Sequence, residues 1–283
     1  AFKNLSNKKS SVSETQRQLI FENAKTFPDN TQISFAFIKN GKVNYYGIKR
    51  ENDSISQCNN YNDIFEIGSI TKVFTSNLLA SFIINNKIKL NDNINDYLNI
   101  PFKNNVKITF KSLANHTSGV PELPTNLDLE KINTANPFQK YNEIDLENYL
   151  EKSLHIEDTI KDKYLYSNLG AGLLGYTLSK IENVSYNELL KRHIFSKYKM
   201  FNTTLNLNES SKMLVKGLDT QGNEVPNWEF SVLAGAGGIK SNVKDLAKYG
   251  IAQLDTLNKE LELTRQKTIE VNDTLVKEGK AEA

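Results

Sequence analysis

Cysteine is nearly absent from this 283-residue sequence, where Cys58 stands alone. One thiol cannot close an intramolecular disulfide or build a cysteine-based metal cluster. Histidine is almost as scarce. His116, His155 and His193 are the only three, and none belongs to a His-Glu-x-x-His pair, which argues against a zinc hydrolase. The longest apolar run, Leu78 to Ile84, is short and interrupted by Ser81, well under the ~20 residues of a bilayer-spanning helix. Net charge is missing too: 35 Lys+Arg against 33 Asp+Glu leave +2, a balance that gives no field favouring nucleic acid or a membrane surface. No Gly-x-Ser-x-Gly occurs, so the nucleophile elbow of an α/β-hydrolase is not supported. No signal peptide is read here, and the first residue is Ala1 rather than Met, as in a processed or trimmed start, so the compartment is not legible at this end.

What is present is enough to fold. Hydrophobic residues reach 39% and aromatics 10%, which supplies a core for one large domain or two modest ones. Residues 1–14 read as a polar leader and 15–25 as a first helix, so that 1–24 stand apart from a main domain over 25–283. Ile33 to Ile38 and Val43 to Tyr46 flank Asn40-Gly41, a strong hairpin signal. From Ser69 the spacing becomes helical through Val73, Phe74, Asn77, Leu78, Phe82 and Ile83. Thr109 reads as the cap of a short helix through Leu113, Gly172 to Glu182 as a second helical block, and Ser185-x-x-Glu188 as a capping box. Ser241 reads as the cap of a helix through Leu246. Strands followed mainly by helices predict an α+β fold, with a strand lobe over about 30–67 and a helical lobe over about 69–260.

Ser69-Ile70-Thr71-Lys72 is the first chemical candidate. The pattern Ser-x-x-Lys also occurs at Ser6-Lys9, Ser196-Lys199 and Ser241-Lys244, so context has to separate them. Only Ser69 opens an apolar helix, where three residues make nearly one turn and bring Lys72 to the same face. A lysine buried beside a helix loses stability as a cation and can serve as a base, against the bland alternative of a helix start with a surface lysine. Tyr166-Ser167-Asn168 is the second candidate: a phenol can relay a proton, and an amide can bond both a lysine and a substrate carbonyl. Alone it would read as a loop turn. Gly170 to Gly175 matches Gly-x-Gly-x-x-Gly but lacks a preceding buried strand, so close helix packing is the expected use of its glycines rather than dinucleotide binding. His116 reads as a hydrogen-bonded structural histidine, His155 and His193 as helix-surface or helix-end residues, and Trp228 as core.

Together these pieces resemble the serine β-lactamase and penicillin-binding protein superfamily, most nearly its class C branch. The resemblance runs from about Ile33 to Tyr249 and rests on the hairpin Phe37 to Val43 and on Phe65-Glu66-Ile67-Gly68-Ser69-Ile70-Thr71-Lys72. It continues in Leu113-Ala114-Asn115-His116-Thr117-Ser118-Gly119-Val120-Pro121, in Tyr166-Ser167-Asn168-Leu169-Gly170, and in Ala236 to Leu246. It implies a β-lactamase/transpeptidase-like fold in which Ser69 is acylated, Lys72 takes its proton and Tyr166 shuttles it to the leaving group. It implies that Asn168, Gly237 and Gly238 bind substrate and that the Ser69 N–H supplies half of an oxyanion hole. A small-molecule or peptidoglycan-peptide substrate is implied, with no cofactor, metal or nucleic acid, and a periplasmic, secreted or envelope-associated setting. The family's third motif, (Lys/His)-(Ser/Thr)-Gly, is absent: Lys267-Thr268 is followed by Ile269, and Lys277-Glu278-Gly279 leaves only four residues after it. The sequence therefore leads one to expect a C-terminally incomplete chain without the closing strands, and either weak hydrolysis or a non-catalytic penicillin-binding module or inactive fragment.

Overall fold

The computed structural model describes residues 3–5, 12–127, 136–157, 163–207 and 211–268. In chain order its elements begin with β1 (Lys3–Leu5), α1 (Glu14–Ala24), β2 (Gln32–Lys39), β3 (Lys42–Glu51), β4 (Ser54–Cys58) and β5 (Phe65–Glu66). Then come α2 (Thr71–Ile84), α3 (Phe110–Ala114), α4 (Glu143–Lys152), α5 (Asn168–Glu182) and α6 (Tyr186–Leu190). The last are β6 (Gly217–Leu218), β7 (Glu224–Val225), α7 (Ala234–Gly237), β8 (Lys240–Ser241), α8 (Val243–Gln253) and α9 (Lys259–Arg265). The chain divides into two compact units, one of residues 1–66, 198–227 and 240–254, the other of residues 67–197, 228–239 and 255–283.

The first unit holds the strands. Its main sheet has the order β1-β4-β3-β2, with β2 and β3 joined through Asn40 (φ 50°) and Gly41 (φ 73°), the left-handed pair that a tight hairpin requires. The register sets Phe35 opposite Tyr46 and Ile33 opposite Ile48. That aligns one apolar face, which packs with Ile55 and with Ile20, Phe21 and Ala24 of α1. On α8, Gly250 lets the helix approach the Ile38 side chain of β2, which points to the opposite face. Ser13 caps α1 in a reciprocal box with Gln16, close to the expected start. The expectation of a Ser241 cap is corrected. Ser241 is paired with Phe65 in the β5–β8 ladder and its hydroxyl meets Thr203 at 2.7 Å, so the cap falls to the next residue, Asn242, whose Oδ1 accepts the Asp245 N–H at 2.9 Å.

The second unit is helical around α2, whose Phe74, Leu78 and Phe82 are wholly buried. α2 packs against α5, α7 and α9. α5 starts at Asn168, four residues ahead of the expected Gly172, because Ser167 caps it by accepting the Gly170 N–H at 2.7 Å. The glycines serve packing, as expected. A Cβ on Gly172 would lie 2.6 Å from the Leu233 side chain, and one on Gly175 would lie 3.2 Å from the Gly235 Cα. Thr109 caps α3 and Ser185 caps α6 where the sequence placed them, but the expected box at Ser185 is half made: Ser185 Oγ accepts the Glu188 N–H, while the Glu188 carboxylate takes Arg192. Of the apolar residues after Tyr249, Leu261 on α9 is buried while Leu254 and Leu257 are exposed. His155 is exposed and His193 lies in the last turn of the helical segment Lys191–Phe195, as expected, but Trp228 does not join the core. Trp228 is 42% exposed, because Phe138 (edge-on at 5.5 Å) and Phe230 cover only part of its indole. His193 is drawn in from the helix surface by Ser81, 3.0 Å from its Nδ1, and by the Phe82 ring. Among the described residues no helix is long and apolar enough to cross a membrane.

Candidate active site

The approach to Ser69 is set by Gly68. Its φ of +51° lies in the left-handed region, which a residue with a Cβ adopts only at a cost. The chain then makes one 3₁₀ turn, Gly68–Ile70, before α2 begins at Thr71. Ser69 therefore stands just ahead of the α-helix rather than within its first turn as the sequence suggested. It is exposed, and the three-residue spacing still brings Lys72 to it: Nζ lies 3.1 Å from Ser69 Oγ.

Three side chains of α2 clasp the segment through α7. Thr71 Oγ1 accepts the Ile239 N–H at 3.1 Å, Lys72 Nζ donates to the Ala236 carbonyl at 2.7 Å, and Thr75 Oγ1 donates to the Gly235 carbonyl at 2.8 Å. The Ile67 N–H adds a bond to the Ile239 carbonyl. Gly235 cannot take a Cβ without meeting the Ala171 carbonyl at 2.9 Å, so it is glycine that permits this approach.

The turn carrying Tyr166 and Asn168 is held from the other side by residues 116–122. The Leu165 N–H donates to the His116 carbonyl (2.7 Å) and the Ser167 N–H to His116 Nδ1 (3.1 Å). Ser167 Oγ donates to the Pro121 carbonyl (2.7 Å), and the Leu169 N–H donates to the Glu122 carbonyl (3.0 Å). So anchored, Tyr166 Oη sits 2.6 Å from Ser69 Oγ, and Asn168 Oδ1 accepts from Lys72 Nζ at 2.8 Å. Lys72 Nζ also lies 4.7 Å from the centre of the Tyr166 ring. The structure thus joins Ser69, Lys72, Tyr166 and Asn168 in one hydrogen-bonded cluster. Gly237 and Gly238 lie directly after Ala236. A Cβ on Gly237 would meet Phe230 at 2.9 Å, and the Gly238 N–H closes α7 on the Ala234 carbonyl.

Burial lowers the Lys72 pKa from the ordinary lysine value, while Tyr166 and the charge of Glu122 pull the other way. Burial, helped by the Lys72 charge, pushes His116 down to about 4, so its ring is neutral at pH 7. Because Nδ1 accepts the Ser167 N–H, the ring proton resides on Nε2.

Two look-alikes separate from this cluster. Tyr97-Leu98-Asn99 repeats the Tyr-x-Asn pattern, but Tyr97 Oη donates to Asp92 at 2.8 Å and is spent there. Ser81, His193 and Glu182 line up in the order of a hydrolytic triad. Ser81 is only 2% exposed, however, and His193 Nε2 is 3.8 Å from the Glu182 carboxylate, which also takes Lys87. No substrate reaches a hydroxyl buried in α2, so this is a structural network. Ser6, Lys9 and the tripeptide Lys277-Glu278-Gly279 lie outside the described residues. The sequence reading missed the Ala236 carbonyl as the third partner of Lys72. A backbone oxygen carries no sequence signal beyond the small residues around it.

Comparison with known proteins places the chain by sequence and by fold. A family model described as Beta-lactamase matches residues 23–281. A beta-lactamase of Pseudomonas fluorescens is 29% identical over 225 residues, covering 78% of this chain and 59% of the relative. One of Psychrobacter immobilis is 27% identical and covers 78% and 53%. The chain thus spans a little over half the length of these curated relatives. Among solved structures, a beta-lactamase/D-alanine carboxypeptidase from Pseudomonas syringae superposes with a TM-score of 0.71 at 23% identity, covering 91% of this chain and 70% of its own, a likeness of fold. With the family model spanning most of the sequence and the serine–lysine–tyrosine cluster set in the matching fold, the chain belongs to the beta-lactamase family, within the serine β-lactamase and penicillin-binding protein superfamily.

Proposed function

We propose that this protein is a serine hydrolase working through an acyl-enzyme on Ser69, and that it cleaves a β-lactam amide, a D-Ala-type peptide or a small ester. The observation that carries the proposal is the set of partners around Lys72 Nζ. Two of the three, Asn168 Oδ1 and the Ala236 carbonyl, can only accept; the third, Ser69 Oγ, can accept or donate. A neutral Lys72 therefore gives its two N–H groups to the carbonyl oxygens and turns its lone pair to Ser69. Burial, by disfavouring the ammonium, increases the share of this form.

In this reading the Ser69 proton passes to Nζ as Oγ attacks the substrate carbonyl. Tyr166 Oη gives its proton to the departing nitrogen or oxygen and recovers one from the Lys72 ammonium. Water then releases the acyl group along the reverse relay. The Ser69 N–H lies in the 3₁₀ turn ahead of α2, without an intrahelical acceptor, and would stabilise the developing oxyanion. Asn168 would orient both Lys72 and the substrate amide, and Gly237 and Gly238 would border the acyl group. The residues proposed for the reaction require no metal or organic cofactor, and the family setting suggests the bacterial envelope or exterior.

A second reading is a penicillin-binding or sensor-like module that acylates without release. Incubation with a fluorescent penicillin, peptide mapping and a deacylation time course test both readings. The hydrolase reading expects a Ser69 adduct that decays, and the sensor reading an adduct that persists. No adduct on Ser69 contradicts both.

A further inference from the structure

His116 has an unusual backbone and an unusual load. Its φ of +57° is left-handed, a region that few residues with a Cβ occupy, though histidine more often than most. From that position it receives two consecutive anchors of the Tyr166 turn, the Leu165 N–H on its carbonyl and the Ser167 N–H on its ring Nδ1. Its ring lies 4.8 Å from the Tyr166 ring, centre to centre, and meets Tyr164 edge-on at 5.9 Å. Ser167 separates the two residues that touch Ser69 and Lys72. We propose that His116 is a positioning residue whose unprotonated Nδ1 fixes Ser167, and through it the distances Tyr166–Ser69 and Asn168–Lys72, so that a proton on the ring releases the turn and switches off acylation. This rests on the reading of Ser69 as the nucleophile.

A protonated Nδ1 would face the Ser167 N–H donor to donor, so ring protonation and the anchored turn exclude each other. The titratable groups facing the ring are Tyr164 and Tyr166 of the turn and Lys72 of α2, with Glu122 acting on Lys72. The Lys72 cation opposes a second positive charge on His116, and burial opposes it further, so the proton arrives only near pH 4.

Two variants separate positioning from plain structure. His116→Asn keeps an acceptor, since Oδ1 and Nδ1 are both two bonds beyond Cβ; asparagine also tolerates left-handed φ and does not titrate. His116→Gly accepts the same φ without an acceptor. H116G is expected to slow labelling of Ser69 by a fluorescent penicillin by about tenfold or more, and H116N to recover most of that loss. The rate of wild type relative to H116N should fall below about pH 5, by up to about tenfold per pH unit, and stay level above it. In ¹⁵N-labelled wild-type chain, the Ser167 amide and the Asn168 side-chain amide should shift with the midpoint of the His116 ring, and not shift in H116N. The proposal is overturned if H116G labels within about twofold of wild type. It is equally overturned by a rate ratio flat with pH, or by an Asn168 amide that stays still while His116 titrates. A Ser69→Ala control that labels as fast as wild type removes the nucleophile reading instead, and the amide titration then judges the hold of His116 on the turn by itself.

Discussion

At Lys72 burial disfavours the ammonium most strongly, while Tyr166 and the charge of Glu122 oppose that shift in part. An ammonium there has three donors for three oxygens, a neutral amine has two donors and a lone pair for the same three, and only Ser69 can switch roles to suit. Labelling of Ser69 should therefore rise with pH as Lys72 loses its proton, with a midpoint below the ordinary lysine value of 10.5; a midpoint at or above 10.5 would refute the assignment. Replacing Lys72 with Ala should lower the labelling rate by about 10²–10⁴, read by gel fluorescence over time. His116 adds a stability effect. Between about pH 4 and its ordinary 6.5, the unfolded chain binds a proton there that the native chain does not, so native stability rises with pH across this window, by at most about 1.4 kcal/mol per unit. Urea unfolding at several pH values checks this, and H116N should flatten that part of the curve. Ser69 and Lys72 were legible because both partners lie within one turn. The load on His116 was not, because its partner Ser167 is 51 residues away.

At the scale of elements, local chemistry predicted caps and turns well where the signal and its target are neighbours. Asn40-Gly41, Thr109 and Ser185 act within four residues of themselves. Ser241 shows the limit: strand pairing with a segment far away in sequence took it out of the capping position and left Asn242 to cap α8. The glycines of α5 make a sharper test. Alanine in a helix interior ordinarily gains up to about 1 kcal/mol over glycine. At Gly172, however, a Cβ would lie 2.6 Å from the Leu233 side chain and 2.9 Å from its Cα. Gly172→Ala is expected to lower stability by about 1–3 kcal/mol, because backbone rather than a flexible side-chain tip must move. A thermal melt at or above the wild-type midpoint would show that α5 and α7 do not approach as described.

For the whole molecule, the sequence suggested strands and then helices, and the α+β fold is so built. The two compact units nevertheless do not follow a single cut along the chain. Residues 198–227 and 240–254 return to the unit that holds the first strands, and composition carries no mark of that return. The near-neutral charge balance remained uninformative about partners; the position of one exposed serine was far more telling. The family resemblance drawn from five short segments agrees with a model match over residues 23–281. The central claim, that Ser69 is acylated, is met most directly by intact-mass analysis and peptide mapping of the chain after incubation with a fluorescent penicillin. The account expects one adduct, on the peptide containing Ser69, absent from Ser69→Ala. A chain that takes no adduct, or one whose adduct persists in Ser69→Ala, would contradict it.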